Sequence, residues 1–175
     1  MPNIVPEKLN DFRVYGDGNA LLGIAEGNFP NIEFMTSEVK GAGIAGVLES
    51  PALGHVNSFT ITLKWRAITE DFTSLLEIRS HDLDLWGETI GFDAGAGEYT
   101  RHSIHIFLKA IMKNWNMGNM VIVDSQEAET EMEVYYLKYE LDGKEQLELD
   151  RYNYIFKVSG TDYLADTRRN LGMAG

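Results

Sequence analysis

Residues 58–66, SFTITLKWR, alternate without a break. Phe59, Ile61, Leu63 and Trp65 fall on one side, and Thr60, Thr62, Lys64 and Arg66 on the other. Successive strand side chains point to opposite faces, so this spacing predicts a half-buried strand with one wet face. A helix is expected over about 70–78, with Thr69 as N-cap and Glu70 and Asp71 in the first turn. Phe72, Leu75 and Leu76 then share one helical face. Strands over 81–92 and 99–111 are expected around the turn-forming DAGAG at 93–97. Residues 113–120, KNWNMGNM, read as loop. So does the stretch 124–133, where five acids and no base predict a solvated loop.

A second hairpin is expected over 131–158, with Asp142-Gly143 at its tip. A plain two-residue turn would set Tyr139 against Gln146 and Leu137 against Glu148, mixing apolar and charged groups on both faces. One extra residue instead sets Tyr139 against Leu147, Leu137 against Leu149, Lys138 against Glu148 and Glu140 against Gln146. A one-residue slip exchanges the faces, so the coherent register predicts a three-residue loop or an adjoining bulge. A short helix over about 162–171 closes the chain, capped by Thr161 or Asp162, stopped by Gly172, with Arg168 and Arg169 near its negative end. The N-terminal part is less regular. Short strands are expected at 12–15 and 20–24 about Gly16-Asp17-Gly18. Residues 37–57, rich in glycine and broken by Pro51, read as one long loop. Neither repeat nor linker is visible, so residues 1–175 are expected to form one domain, mainly β with minor α: two packed antiparallel sheets plus one or two short helices.

Composition narrows the class. The 175 residues are 44% hydrophobic and 24% charged, as in ordinary globular chains. Without cysteine there is no disulfide, thiolate nucleophile or sulfur metal site. No apolar run approaches the ~18 residues of a membrane-spanning helix, and the opening MPNIVPEKLNDF lacks a signal-peptide layout. The expected location is therefore a cytoplasm. The net charge of -12, from 27 acids and 15 bases, opposes wrapping of nucleic acid or an anionic membrane. Residues 124–150 alone hold ten acids and two lysines.

Chemical motifs are thin. GAGIAG at 41–46 matches a dinucleotide-binding string, but Pro51 would cut the helix it needs, and the next strand carries no ribose-binding acid. Its glycines are better read as backbone freedom. His102 and His105 stand three apart on a strand, hence on opposite faces, and do not form a metal pair. Asp82 and Asp84 share a face opposite His81 and read as surface carboxylates. Neither a nucleophile elbow nor a singular carboxylate pair points to an enzyme, and no cofactor is expected. Trp65 belongs to the core face, while Trp115, in polar surroundings, is a contact candidate.

The strings MPNIVPEKLNDFRVY, DGNALLGIA, NFPNIEFMT, GAGIAG, SPALGH, HDLDL, DAGAGEY and DGKEQLELDRYNYIFKVSGTDYLADTRRNLG, in this order and spacing, resemble the major tail tube proteins of contractile-tailed bacteriophages. The resemblance runs nearly end to end and is weakest over about 111–131. It implies a mainly β subunit whose sixfold rings close an inner barrel and stack into a tube. Its partners would be further copies of itself, the sheath, the tape-measure protein, and the baseplate and terminator proteins. DNA would be a transient, non-specific cargo, and no membrane would be involved. The location would be the virion tail, assembled in a host bacterial cytoplasm. Six copies would carry a charge of -72, which repels a passing phosphate backbone.

Two site expectations follow. The wet faces of the hairpins line the channel: Tyr136, Lys138, Glu140, Gln146, Glu148 and Asp150, with Thr60, Thr62 and Lys64. The glycine-rich segment, with Gly41, Gly43, Gly46, Pro51 and His55, reaches a neighbouring subunit. The inner tube of a DNA-free contractile injection particle needs the same ring and is the alternative. A β-sandwich carbohydrate-binding module using Trp86 or Trp115 is a more distant one, and predicts a monomer.

Overall fold

A computed structural model describes residues 4–173. Its strands are β1 (Ile4–Gly16), β2 (Asn19–Ala20), β3 (Ile24–Asn28), β4 (Phe34–Val39), β5 (Leu48–Val56), β6 (Thr60–Trp65), β7 (Ser80–Asp93), β8 (Glu98–Asn116), β9 (Ala128–Leu141), β10 (Lys144–Asp150), β11 (Ile155–Val158) and β12 (Thr161–Asp162). Its helices are α1 (Glu70–Ser74) and α2 (Ala165–Asn170). The expected class, mainly β in two antiparallel sheets with two short helices, is what the chain adopts.

The larger sheet runs β12-β11-β10-β9-β8-β7-β1-β2, all antiparallel. It forks at β9. One edge of β9 is paired along its length by β8, while the other is taken first by β6 and then by β10. β3 extends the β6 branch. The core lies against one face. Phe59, Ile61, Leu63 and Trp65, the alternating apolar set, are all buried there with Leu83, Leu85, Leu108, Met132, Val134, Leu137 and Leu149. Trp65 donates its indole N–H to Thr130 Oγ1 at 3.1 Å, and Phe72 of α1 meets it edge-on at 5.7 Å. Thr69 caps α1 by accepting from the Phe72 amide, as expected, but the helix stops at Ser74, short of 78.

Several expectations need correction. Residues 37–57 are not one loop. β4 and β5 pair as a separate two-stranded sheet, and only residues 40–47 connect them. The short strand at 12–15 is the end of a 13-residue strand, β1, held by β7. Residues 113–116 are not loop, because β8 continues through them against β9. The acidic stretch is loop only at 124–127. From Ala128 it is strand, with Ala128, Thr130 and Met132 buried and Glu129, Glu131 and Glu133 on the other side. Thr161 and Asp162 form β12 rather than the start of a helix, which is confined to Ala165–Asn170.

The second hairpin has the register that the pattern demanded: Tyr139 opposite Leu147, Lys138 opposite Glu148, Leu137 opposite Leu149. The extra residue sits in a bulge beside the two-residue tip, between Glu145 and Leu147. Glu140 therefore faces Glu145, and Gln146, expected opposite it, is the bulged residue. A second irregularity, where Lys109 pairs with Tyr136 and Ala110 with Val134, leaves Tyr135 without a partner on β8. An unpaired residue reverses the alternation. The buried side of β9 passes there from even positions to odd ones.

Candidate functional site

The antiparallel register assigns the other face of the large sheet residue by residue. Directly opposite pairs share a side. Across β7, β8, β9, β10 and β11 one row reads Asp84, Phe107, Lys138, Glu148, Lys157; the next reads Trp86, His105, Glu140, Glu145. Tyr136, Lys138, Glu140 and Glu148 therefore stand together on the face away from the core. Thr60, Thr62 and Lys64 lie on the β6 branch beside Glu133, Glu131 and Glu129. Lys64 is engaged by Glu26 at 3.1 Å.

This face is wet, and its lysines are each paired with a carboxylate of the same subunit. Lys138 Nζ lies 2.7 Å from Glu140 and 3.7 Å from Glu145, so one lysine bridges two acids that would otherwise oppose each other. The hydrogen bond to Glu140 holds the Lys138 ammonium above its usual range, and Lys138 with His105 holds Glu140 below its own. Lys157 meets Glu148 at 2.6 Å, and Lys109 meets Asp82 at 3.8 Å. The Tyr136 hydroxyl donates to Glu148 at 3.0 Å; burial first, then that carboxylate, push its ionisation well above the normal value. His105 stacks on Trp86 at 3.9 Å between Asp84 and Glu140.

Asp150 departs from the expected set. It is 9% exposed, and its carboxylate accepts from the amides of Tyr152 and Asn153 and from the Asn153 side chain. It builds the turn into β11 and offers no open surface. Of the residues expected to reach a neighbour, Gly41, Gly43 and Gly46 occupy the exposed 40–47 connection at positive φ, with open space where a side chain would stand. Pro51 and His55 are instead strand residues of β5; Pro51 pairs with Thr36, and His55 packs edge-on to Tyr154 at 6.4 Å.

The first hairpin's wet face was expected to share the lining, with no residue of it named; the register supplies them as Asp84, Trp86, His105, Phe107 and Lys109. The alternation in HDLDLW already marks Asp82, Asp84 and Trp86 as one side; what was missing was the β7–β8 register that joins them to β9. His102 and His105 do lie on opposite faces, His102 turning to Asp142 at 2.7 Å. His81 is buried against Asp17 and the Glu77 carbonyl. Among the described residues no group of His, Asp and Glu has the geometry to hold a metal ion.

A family model described as phage tail tube protein FII matches residues 6–172. The tail tube protein of Escherichia phage P2 is 25% identical over 182 residues, covering 97% of this chain and 99% of that one. Among solved structures, the sheath/tube terminator of an extracellular contractile injection system, PVC, in its extended state superposes with a TM-score of 0.53. That match covers 78% of this chain and 97% of the other, at 14% identity, and is a likeness of fold.

Proposed function

Because this chain belongs to the phage tail tube protein FII family, we propose that its copies close into six-membered rings, stacked as the inner tube of a contractile tail, with the wet sheet face turned inward. The observation that carries this reading is the two-sided sheet. One face is covered by the chain's own core; the other is polar from β7 to β11. A sheet that is wet on one side suits a water-filled channel, and closure with neighbours removes its edges. Along residues 4–14, β1 has β7 on one side and no strand on the other among the described residues.

The pairing within the face refines the picture of the lumen. Sliding requires that a phosphate backbone find no cluster of available cations. Lys109, Lys138 and Lys157 are each held by a carboxylate of the same subunit. A passing DNA would meet spent lysines and excess acid. The sheath, tape-measure, baseplate and terminator proteins would be the other partners, in a virion tail assembled in the host cytoplasm. Negative-stain electron microscopy of concentrated protein, beside a sizing column, tests the proposal. Hollow rings or tubes are expected, and a single-subunit species at every concentration, with or without baseplate seeds, overturns it.

A further inference from the structure

Between β8 and β9 the chain makes a tongue. Its base is clamped. The Asn119 amide donates to the Gln126 carbonyl at 2.6 Å, the Gln126 amide donates to the Arg66 carbonyl at 2.8 Å, and Gln126 Oε1 accepts from the Ile68 amide at 2.7 Å. Gly118 is required there, since a side chain would run into the Gln126 carbonyl. Above this base Met120, Val121, Ile122 and Val123 stand in water, Ile122 at 92% and Val123 at 101% exposure. Val123 has φ +69°, which β-branched residues avoid. An uncharged apolar tip held out by a fixed base, on a chain of net charge -12, is built for contact.

Elsewhere on the same chain lies a groove of about 480 Å³ between β5 and β11. Phe34, Pro51 and Leu53 form one wall, Phe156, Val158 and Tyr163 the other, and no charged residue lines it. A second apolar hollow, bounded by Leu9, Phe12 and Phe29, is smaller at about 200 Å³ and abuts the charged Asp11, Arg13 and Glu88. The uncharged tip matches the first.

The tongue cannot reach its own groove. It joins β9 at Ala128, whereas the groove's Phe156 is aligned, through Leu149, with Leu137. Nine residues of strand put roughly 30 Å between them. The contact must therefore be made between copies. A knob and a hole at different places on one chain form a heterologous contact, which repeats into a ring or a filament and does not stop at a symmetric pair.

We propose that residues 120–123 of one subunit dock into the β5–β11 groove of a second copy of this chain. The proposal rests on the self-assembly reading and names a contact within it. The absence of native cysteine makes the test direct. Ile122→Cys and Leu53→Cys chains, mixed during assembly, are expected to give a covalent two-chain product under mild oxidation. Ile122→Cys mixed with Ile78→Cys, a control more exposed than Leu53, is expected to give at least tenfold less. Ile122→Asp and Leu53→Asp are each expected to lower the yield of assembled particles at least tenfold, while the subunit's thermal melt stays unchanged. Normal assembly of Ile122→Asp, or cross-linking no better than the control, overturns this contact and leaves self-assembly standing. An unsubstituted chain that never assembles overturns both.

Discussion

Replacing Asp17 by Asn is expected to lower stability by about 1–2 kcal/mol at neutral pH and by nothing measurable near pH 2. Asp17 sits in the turn between β1 and β2. Its Oδ1 accepts from the Asp82 amide at 3.0 Å, while Oδ2 meets Arg79 at 2.7 Å and His81 Nδ1 at 3.0 Å. Burial opposes its ionisation, yet hydrogen bonds from Arg79, the Asp82 amide and His81, with the Arg79 charge, bring the carboxyl from 3.8 down to about 2. That depression corresponds to about 2.4 kcal/mol. The side chain is 32% exposed, so solvent screening roughly halves it. Asn keeps the size and tolerates the residue's φ of +50°, so the substitution isolates the charge from the backbone. Since the folded carboxyl titrates below the unfolded one, its contribution is complete above about pH 4 and drains away as pH falls toward 2. Urea unfolding followed by tryptophan fluorescence, with Trp65 buried, reads the difference between the two proteins at pH 7, 4 and 2. A difference that stays constant across that range, or one below ~0.3 kcal/mol at pH 7, would refute the assignment of the effect to this ionised cluster.

Gly54→Ala is expected to cost about 2 kcal/mol or more in a thermal melt, because the residue has φ +70° and its new Cβ would stand 2.6 Å from Leu164; an unchanged melting temperature would contradict that packing. Deleting residues 41–46 leaves Lys40 and Val47 to join β4 to β5, the length of a two-residue hairpin turn. The product is expected to fold as a monomer yet fail to polymerise, and normal tubes would remove the 40–47 connection from assembly. Cysteines placed at Lys138 and Glu148 are expected to react, in assembled tubes, with a small thiol reagent and not with a polymer-linked maleimide. Equal labelling by both reagents would put this face on the outer wall.

What the sequence reveals of this fold depends on where each residue's partner lies. The β9–β10 register was legible because Leu137 and Leu147 would otherwise oppose Glu148 and Lys138, a conflict visible within twenty residues of chain. The face reversal at Tyr135 is legible too, since apolar spacing passes from Met132 and Val134 to Leu137 and Tyr139 with one residue extra. β4 and β5 were hidden because β4 is exposed at nearly every position, and because the sheltered positions of β5 are the small Ser50, Ala52 and Gly54 with Val56 while Pro51 and Leu53 face out, so neither shows the hydrophobic period of two. Residues 113–116 looked like loop because Lys113, Asn114 and Asn116 carry no strand signal and Trp115 stands alone among them; backbone pairing of 114–116 with Glu131, Thr130 and Glu129 holds the segment. Asp150 fits the alternation and still leaves the wet face, because the turn after it has amides to satisfy.

The parts that alternation missed are also the parts that the single chain leaves incomplete. Alternation records the contact between a strand and its own core, so it marks β6, β7 and β9, whose burial is settled within one subunit. β4, β5, the connection between them, the tongue and the groove keep apolar side chains in water: Met35, Val47, Leu48, Leu53, Met120 and Ile122 are all exposed. A chain with a net charge of -12 that repels its copies at long range needs short-range apolar contacts if those copies are to join. These exposed groups are where such contacts are available. In this subunit the period-two pattern encodes the fold, and under the proposed function the apolar residues outside that pattern are the ones left for contacts between copies.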